Sequence, residues 1–293
     1  MTHNHEALPF NRAFLIAVIL NLSFTIVQII AAFIANSMSL MADAVHNFGD
    51  VFGLMLAWGA SWLLTLPPRK RYSYGFKKTT ILAALANAIL LVGTSFVIAY
   101  ESINKLINPN EIHELTVIIV ASIGIIINGG TALLFLKGSH GDLNIKGAFL
   151  HLLSDALISF GVVISALLVL YTGKLWIDPL MGLIIVAVIL FATWGLLRDS
   201  VRLILDAVPR HIDYKGIELY LNNLPGVKEI HDLHIWGLST KEIALTAHLV
   251  MPENKISDKE FKNINDELKH KFRVDHATLQ IEEGCDTHKC ISC

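Results

Sequence analysis

The chain contains 293 residues, of which 54% are hydrophobic and only 16% are charged. A soluble globular domain usually carries about 25% charged residues, so this composition excludes an ordinary water-soluble protein and indicates a membrane protein. Much of the charge lies in roughly the last ninety residues, which predicts one part of the chain in lipid and another in water.

The part in lipid contains six apolar runs of the length that a spanning helix needs, which is about 20 residues. These runs cover residues 13–35, 39–64, 79–103, 114–136, 145–171 and 178–199. The first run has 23 residues and is predicted to stay as a helix, because a signal-peptide core has only about 7 to 15. The predicted domains are a tail at 1–12, a six-helix membrane domain at 13–204, a soluble domain at 205–284 and a cysteine-rich tail at 285–293.

Positive charges in the connections between runs indicate the orientation. The connections after the second and fourth runs are basic, and the alternate connections carry little positive charge. The basic residues are Arg69, Lys70, Arg71, Lys77, Lys78, Lys137 and Lys146. By the positive-inside rule, both termini are predicted to be cytoplasmic. The 69–78 connection is interpreted as contacting anionic headgroups, without a catalytic role.

A histidine and an aspartate four residues apart occur twice, as His46 with Asp50 and as His151 with Asp155. On a helix, each pair lies on one face, one turn apart. The second and fifth helices are predicted to run in opposite directions, so the two pairs can converge. Ionisable groups in hydrocarbon are costly and usually face a bundle interior or a water-filled path. Two imidazoles and two carboxylates form a tetrahedral ligand set for zinc, so a metal site is the leading hypothesis.

Other interpretations of these polar residues stay open. The four residues are alternatively structural pairs that join helices, although serine or asparagine would do so at lower cost. Asp43, one turn before His46, is either a further polar group of the site, such as a proton relay, or a residue in water near the end of its helix. Asn21, Gln28, Asn87 and Asn128 are interpreted as interhelical hydrogen bonders rather than ligands.

After about residue 205 the pattern becomes that of a soluble α+β domain. The predicted elements are a helix at 213–223, strands at 228–238 and 242–251, a helix at 257–272 and a strand at 276–282. The second helix starts at Ser257 with Glu260 three residues on, which is a capping box. The first two strands form a hairpin. The order αββαβ predicts a small sheet with helices on one face.

This soluble domain holds further candidate metal ligands, which are His231, His234, His248, His276 and Glu282. His234 and His248 are expected to face each other across the hairpin. His231 and His234 lie an odd number of residues apart, so they point to opposite faces of a strand without a bulge. Ordinary polar surface positions explain strand histidines equally well, and the residues alone leave both interpretations open.

The two tails carry residue types that bind soft metals. Cys285, Cys290 and Cys293 all lie near the end of the chain, which argues against a disulfide framework. His3 and His5 lie in the other tail, on the same predicted side of the membrane. Metal binding by these residues and a tail with solvated thiols both stay open.

The motifs together resemble the cation diffusion facilitators, specifically the zinc-transporter branch. Beyond the paired His-x-x-x-Asp, the resemblance includes Arg-Tyr-Ser-Tyr-Gly at 71–75, Asp178-Pro179 at the start of the sixth run, His231-Asp232 with His234-Ile235-Trp236, and the segment 276–282. It covers nearly the whole chain.

This resemblance implies a homodimer that exports zinc from the cytosol in exchange for protons, with a cytoplasmic ferredoxin-like domain that binds zinc and helps the dimer form. By position, the implied ligands are His46, Asp50, His151 and Asp155 for transport, and His231, His248 and Glu282 in the soluble domain. Some members also bind zinc through an amino-terminal histidine motif and a carboxy-terminal Cys-x-x-Cys, so a tail site here is a hypothesis. The family's zinc site between the second and third spans has no counterpart, since 69–78 contain no His, Asp or Glu.

The ligand chemistry favours exchange of metal for protons, because imidazole and carboxylate must be deprotonated to bind a metal. We therefore expect proton-coupled efflux of zinc by alternating access, with cadmium or cobalt as further substrates. The expected location is a bacterial inner membrane. A membrane-bound sensor that binds zinc without moving it is the alternative. An intramembrane zinc hydrolase is disfavoured because four ligands leave no open position; neither enzyme activity nor a nucleic-acid partner is expected.

Overall fold

The computed structural model describes the backbone of residues 12–136, 143–252 and 256–283, with the side chains in these ranges except those of 12–18, 20, 134–136 and 143–148. The chain divides into two compact units. One comprises Met1–Trp58 with Ala86–Leu197, and the other comprises Gly59–Leu85 with Arg198–Cys293.

Six long helices form at the predicted apolar runs. They are α1 Arg12–Ala35, α2 Met38–Leu64, α3 Thr79–Ile107, α4 Glu114–Leu136, α5 Leu143–Thr172 and α6 Ile177–Ile204. Within the described residues, four helices are long and apolar enough to cross a membrane by length and composition, namely α3 to α6. The described apolar part of α1 is the shorter Asn21–Ala35, and α2 carries several polar residues. The helical prediction is confirmed, and the count of six spans stays a prediction.

The first unit has an apolar core to which all six helices contribute. Small and branched residues such as Ala32, Leu40, Val117, Val162 and Ile185 are buried there. The outward faces are also apolar, because Phe191 is 89% exposed and Tyr171 82% exposed. Such a surface would be unstable in water, which agrees with a bundle that has lipid as its solvent.

Two glycines on α2 allow α3 to approach closely. A Cβ at Gly53 would lie 2.7 Å from the Asn87 side-chain nitrogen, and one at Gly49 would overlap the Leu91 side chain. Contacts this short mean that a larger side chain at either position would require the Leu91 or Asn87 side chain to move. Gly49 directly precedes the candidate ligand Asp50 on this helix.

The second unit contains the αββαβ domain as predicted. Its elements are α7 Tyr214–Asn222, β1 Glu229–Gly237, β2 Ile243–Val250, α8 Asp258–Phe272 and β3 His276–Glu282. The sheet order is β1-β2-β3, with β1 antiparallel to β2 and β2 parallel to β3. Ile217 and Leu221 of α7 and Leu268 of α8 pack on Leu245 and Leu249 of β2. The predicted capping box at Ser257 and Glu260 is present at the start of α8.

A bulge in β1 changes the register within the hairpin. His231 pairs with His248, whereas His234 pairs with Thr246. Asp232 between them has a φ of 54°, in the left-handed region. An aspartate tolerates this conformation better than most residues do. The expectation that His234 faces His248 was wrong, because His231 occupies the position opposite His248.

Two lysines of the 69–78 connection have acidic partners within the second unit. Lys77 pairs with Glu242, and Lys78 pairs with Asp206 at 2.7 Å. These two side chains are therefore held by protein carboxylates, while the headgroup contact predicted for this connection remains a prediction for its other basic residues.

Candidate metal centres

The two His-x-x-x-Asp pairs meet inside the helix bundle, and we call these four residues the bundle cluster. The His46 Nε2 atom lies 3.8 Å from Asp50 Oδ2 and 3.3 Å from Asp155 Oδ1. The His151 Nε2 atom lies 3.5 Å from Asp50 Oδ2 and 3.7 Å from Asp155 Oδ2. Each imidazole thus faces one carboxylate of its own helix and one of the other helix.

These spacings fit a tetrahedral metal. With bonds of about 2.0–2.1 Å from zinc to nitrogen or oxygen, neighbouring ligand atoms lie about 3.3–3.4 Å apart. The four nitrogen-to-oxygen distances run from 3.3 to 3.8 Å. These four distances cover only the nitrogen-to-oxygen pairs, and the imidazoles of His46 and His151, whose ring centroids are 6.3 Å apart, would have to move closer together to complete a tetrahedron. His46, Asp50 and Asp155 also form a group whose ligand atoms all lie within 4.8 Å of one another.

The four side chains of the bundle cluster differ in how much of their surface is exposed. The side chains of Asp155 and His46 are 5% and 15% exposed, whereas those of Asp50 and His151 are 25% and 50% exposed within this single chain. The cluster is consequently enclosed on the Asp155 side and open on the His151 side.

Two atoms of the bundle cluster are buried and lack hydrogen-bond partners among the described residues. They are His46 Nδ1 and Asp155 Oδ1. An unsatisfied buried carboxylate oxygen is costly unless a cation or a proton accompanies it. Asp155 Oδ1 faces the His46 imidazole nitrogen without hydrogen-bond geometry, as ligands of one shared ion do. The donor set and its geometry therefore fit a divalent metal.

A layer of hydrogen bonds lies one turn from the cluster, around Asp43. This residue is fully buried, and its Oδ2 atom accepts hydrogen bonds from Gln28 Nε2 at 2.7 Å and from Ser159 Oγ at 2.8 Å. Asn47 donates in turn to Gln28 Oε1 at 3.0 Å. The network joins α1, α2 and α5 and fixes the spacing of the two ligand helices.

The structure decides one of the alternatives for Asp43. The interpretation that it lies in water at the end of a helix was wrong, because its exposure is 0%. The interhelical role of Gln28 is confirmed by its bonds to Asp43 and Asn47. Sequence reasoning missed Ser159, although its position four residues after Asp155, on the same helix face, was an available signal.

A second group of candidate ligands lies on the sheet, and we call His231, His248 and Glu282 the sheet cluster. His231 Nε2 lies 3.1 Å from Glu282 Oε2, and His248 Nδ1 lies 3.0 Å from Glu282 Oε1. The two imidazole rings are 5.0 Å apart between centroids. Their ligand atoms all fall within 4.8 Å of one another, which suits a metal ion. β2 supplies the central ligand, because both other strands pair with it.

The two other candidate histidines of this domain, His234 and His276, are not members of the sheet cluster. His234 contacts Asp232 at 3.1 Å, and Asp232 also lies 3.8 Å from His248. His276 stands at the opposite end of β3 from Glu282, about 20 Å away at the usual rise of a strand. Its ring instead stacks edge-on against Tyr74 at 5.9 Å. His234 is thus adjacent to the sheet cluster, and His276 is apart from it.

The tail candidates fall outside the described residues. His3, His5, Cys285, Cys290 and Cys293 all belong to this group. A metal site formed by the tails therefore stays a prediction.

Comparison with known proteins places the chain in a family. The model of the cation efflux transmembrane domain matches residues 14–205, and that of the cytoplasmic domain of cation efflux proteins matches residues 209–284. The chain is 32% identical to a cadmium, cobalt and zinc/H(+)-K(+) antiporter of Bacillus subtilis, over 98% of this chain and 94% of that protein. It is 34% identical to the metal cation efflux system protein CzcD of Cupriavidus metallidurans, over 96% of this chain and 89% of that protein.

A further relative is the zinc transporter ZitB of Escherichia coli, which is 30% identical over 98% of this chain and 94% of its own length. The two family models together span most of the chain. The protein is therefore an integral membrane transporter rather than an enzyme, and it belongs to the cation efflux family, the cation diffusion facilitators that its motifs resemble.

Proposed function

We propose that this protein exports zinc from the cytosol in exchange for protons, with cadmium and cobalt as further substrates. The observation that carries the proposal is the bundle cluster, in which ligand atoms of α2 and α5 stand 3.3–3.8 Å apart. Two imidazoles with two carboxylates suit zinc and cobalt better than magnesium or manganese, which prefer oxygen ligands. Relatives named for zinc, cadmium and cobalt support the same substrate class.

Proton exchange follows from the chemistry of the ligands. A metal binds neutral imidazole and ionised carboxylate, so loading releases protons, and protonation from the other side of the membrane expels the ion. The cluster would open alternately to each side. We assign Asp43 the role of proton relay, since it is buried one turn from His46 and its Oδ1 has no hydrogen-bond partner among the described residues.

The orientation and assembly belong to the same proposal. The basic connections support cytoplasmic termini, and the bacterial relatives support the bacterial inner membrane. We propose a homodimer, in keeping with the family resemblance. The sheet cluster would hold zinc as a structural or regulatory ion, because its three ligands converge on strands of the soluble domain rather than on membrane helices.

Zinc flux into proteoliposomes under an imposed pH gradient tests the proposal. The parent protein should accumulate zinc, and Asp155→Ala should not. Ser154→Ala is the matched control, because Ser154 is the neighbouring residue but donates only to Leu150 of its own helix. If folded parent protein binds zinc and moves none, the protein is a metal sensor instead, and the sheet cluster is the site that would serve that function.

A further inference from the structure

A buried carboxylate joins the first residues of α2 to the start of α6. Asp178 is fully buried. It accepts hydrogen bonds from the Ser37 hydroxyl at 2.7 Å, the Met38 amide at 2.6 Å and the Ser39 hydroxyl at 2.5 Å. The Ser39 amide donates a fourth, longer bond of 3.4 Å. Met38 precedes Asp178 by 140 positions, so the contact is purely tertiary.

The carboxylate completes the capping of α2. The first amide groups of a helix have no partner within the helix, and the positive end of the helix dipole favours an anion there. The Ser37 hydroxyl accepts from the Leu40 amide at 3.2 Å, and Asp178 accepts from the amides of Met38 and Ser39. A residue of α6 thus performs part of the task that a local cap usually performs alone.

The turn before α2 is also held from several directions. Asn36 has a φ of 55°, and the Lys105 ammonium donates to its carbonyl oxygen at 2.8 Å. The Asn36 side-chain amide donates to the Glu111 carbonyl at 3.1 Å. The His113 amide donates to the Ala35 carbonyl at 3.0 Å. The end of α3 and the connection to α4 therefore hold the same turn that Asp178 holds from α6.

A glycine on α6 allows close packing against the start of α2, which leaves little space for that end of α2 to shift. Gly182 lies one turn after Asp178, and a Cβ built there would lie 3.1 Å from the backbone of Met38. Hydrogen bonds and close backbone packing consequently act on the same residue of α2. This combination fixes both the position of the helix start and its rotation about the helix axis.

The rotation of α2 decides where His46 and Asp50 point. They follow Met38 by 8 and 12 residues on one continuous helix, which places them about 12 and 18 Å along its axis. A slip by one residue at the start would turn both side chains by about 100°. We propose that Asp178 is a positioning residue for the bundle cluster, setting the rotation of α2 so that His46 and Asp50 face His151 and Asp155. This inference rests on the proposed function of that cluster.

Cobalt spectroscopy separates a positioning role from a merely structural one, because the absorption of Co²⁺ reports its ligand geometry. The measurement uses the full chain in detergent, in a background that removes both histidines of the sheet cluster and the three tail cysteines: His231→Ala, His248→Ala, Cys285→Ser, Cys290→Ser and Cys293→Ser. Folding is checked by elution profile and circular dichroism. In this background, His46→Ala should abolish the tetrahedral Co²⁺ spectrum.

Asp178→Asn keeps the shape of the side chain but replaces one carboxylate oxygen with an NH₂ group. That group would face the donors of Ser37, Met38 and Ser39 and could not accept hydrogen bonds from them. We expect it to fold, to bind Co²⁺ about tenfold more weakly and to show an altered spectrum, because a rotated α2 would move His46 and Asp50 away from the geometry that the metal needs. Asp178→Glu should recover part of the affinity. Glu114→Gln is the matched control, because Glu114 lies in the first turn of α4 and its side chain forms no hydrogen bond with another described residue.

A folded Asp178→Asn protein with the background affinity and spectrum would overturn the inference. If that variant does not fold, the doubly substituted Ser37→Ala, Ser39→Ala protein removes two of the donors and should show the same change to a smaller degree; an unchanged spectrum there would overturn the inference equally. A background spectrum that does not depend on His46 would overturn the proposed function as well, which distinguishes the two failures.

Discussion

The side-chain amide of Gln28 donates a 2.7 Å hydrogen bond to the carboxylate of Asp43, and neither residue is exposed. This contact links α1 to the helix that carries His46 and Asp50. The Asn47 side-chain amide donates to the Oε1 atom of Gln28 at 3.0 Å. Gln28 therefore satisfies a buried acceptor and a buried donor at once, one turn from the candidate metal site.

Replacing Gln28 by leucine should destabilise the protein. Gln28→Leu leaves the Asp43 carboxylate with one donor fewer and the Asn47 amide without its acceptor. Leaving a buried polar group without its hydrogen-bond partner costs about 1–3 kcal/mol for each group. The measurement is the midpoint of thermal unfolding in detergent. Ser23→Ala, at an exposed position of α1, is the control and should change stability by no more than about 0.5 kcal/mol. Equal midpoints for parent and Gln28→Leu would show that the network contributes nothing.

Asp43→Asn should uncouple zinc movement from the proton gradient. The asparagine oxygen can still accept from Gln28 and Ser159, but the side chain cannot take up or release a proton. Zinc should therefore still bind at equilibrium, while its flux no longer follows an imposed pH difference. Ser159→Ala is the control, because it removes one donor to Asp43 and leaves the acid in place. A flux that still follows the gradient in Asp43→Asn would exclude the relay role.

His46→Asp should change the metal preference. The substitution leaves one imidazole and three carboxylates, a set that suits manganese better than the parent set does. We expect the ratio of zinc to manganese affinity to fall by at least about tenfold, which corresponds to about 1.4 kcal/mol. Competitive binding of the two metals measures this ratio. Unchanged zinc flux and preference would mean that His46 is not a ligand.

His248→Ala should remove one zinc ion per chain while zinc flux continues. His248 contacts both His231 and Glu282, so its loss dismantles the sheet cluster but leaves the bundle cluster intact. Equilibrium titration gives the number of ions bound. His276→Ala is the control, because His276 stacks on Tyr74 and should leave the number unchanged. An equal loss in both variants would place a ligand at His276 after all.

The capping box of α8 gives a pH dependence with a definite sign. Hydrogen bonds from the Ser257 hydroxyl and then from the Ser257 amide lower the pKa of Glu260 from its ordinary value of 4.5. A lowered pKa in the folded state means that the ionised group stabilises the helix above pH 4.5 and that this stabilisation is lost as the pH falls through the folded-state pKa.

Glu260→Gln should therefore weaken the start of α8 at pH 7 and leave it unchanged at a pH where the parent carboxyl is protonated. Hydrogen exchange of the first turn of α8, compared between variant and parent at each pH, removes the intrinsic pH dependence of exchange. The mid-helix substitution Asp266→Asn should show no such trend. A difference that persists undiminished at low pH would contradict the assignment of the effect to the ionised Glu260.

Much of the fold was predictable because its signals are local. The apolar runs gave the long helices, and alternation gave β1, β2 and β3. The pairing of His234 with Thr246 was not predictable, because the bulge at Asp232 follows from a left-handed backbone conformation that no local sequence pattern indicates. The isolation of His276 depends likewise on strand length and on the Tyr74 contact, which joins residues far apart in the chain.

Sequence alone determined that His46 with Asp50, and His151 with Asp155, each lie on one face of a helix, because helical periodicity converts a four-residue spacing into a shared face. Tertiary structure decided that the two faces meet and how deeply each ligand lies, since both depend on the rotation of separate helices. It also decided the surroundings of Asp43 and Asp178, whose partners come from other helices. Spacing acts within one helix, whereas burial and interhelical hydrogen bonds exist only once the helices have packed.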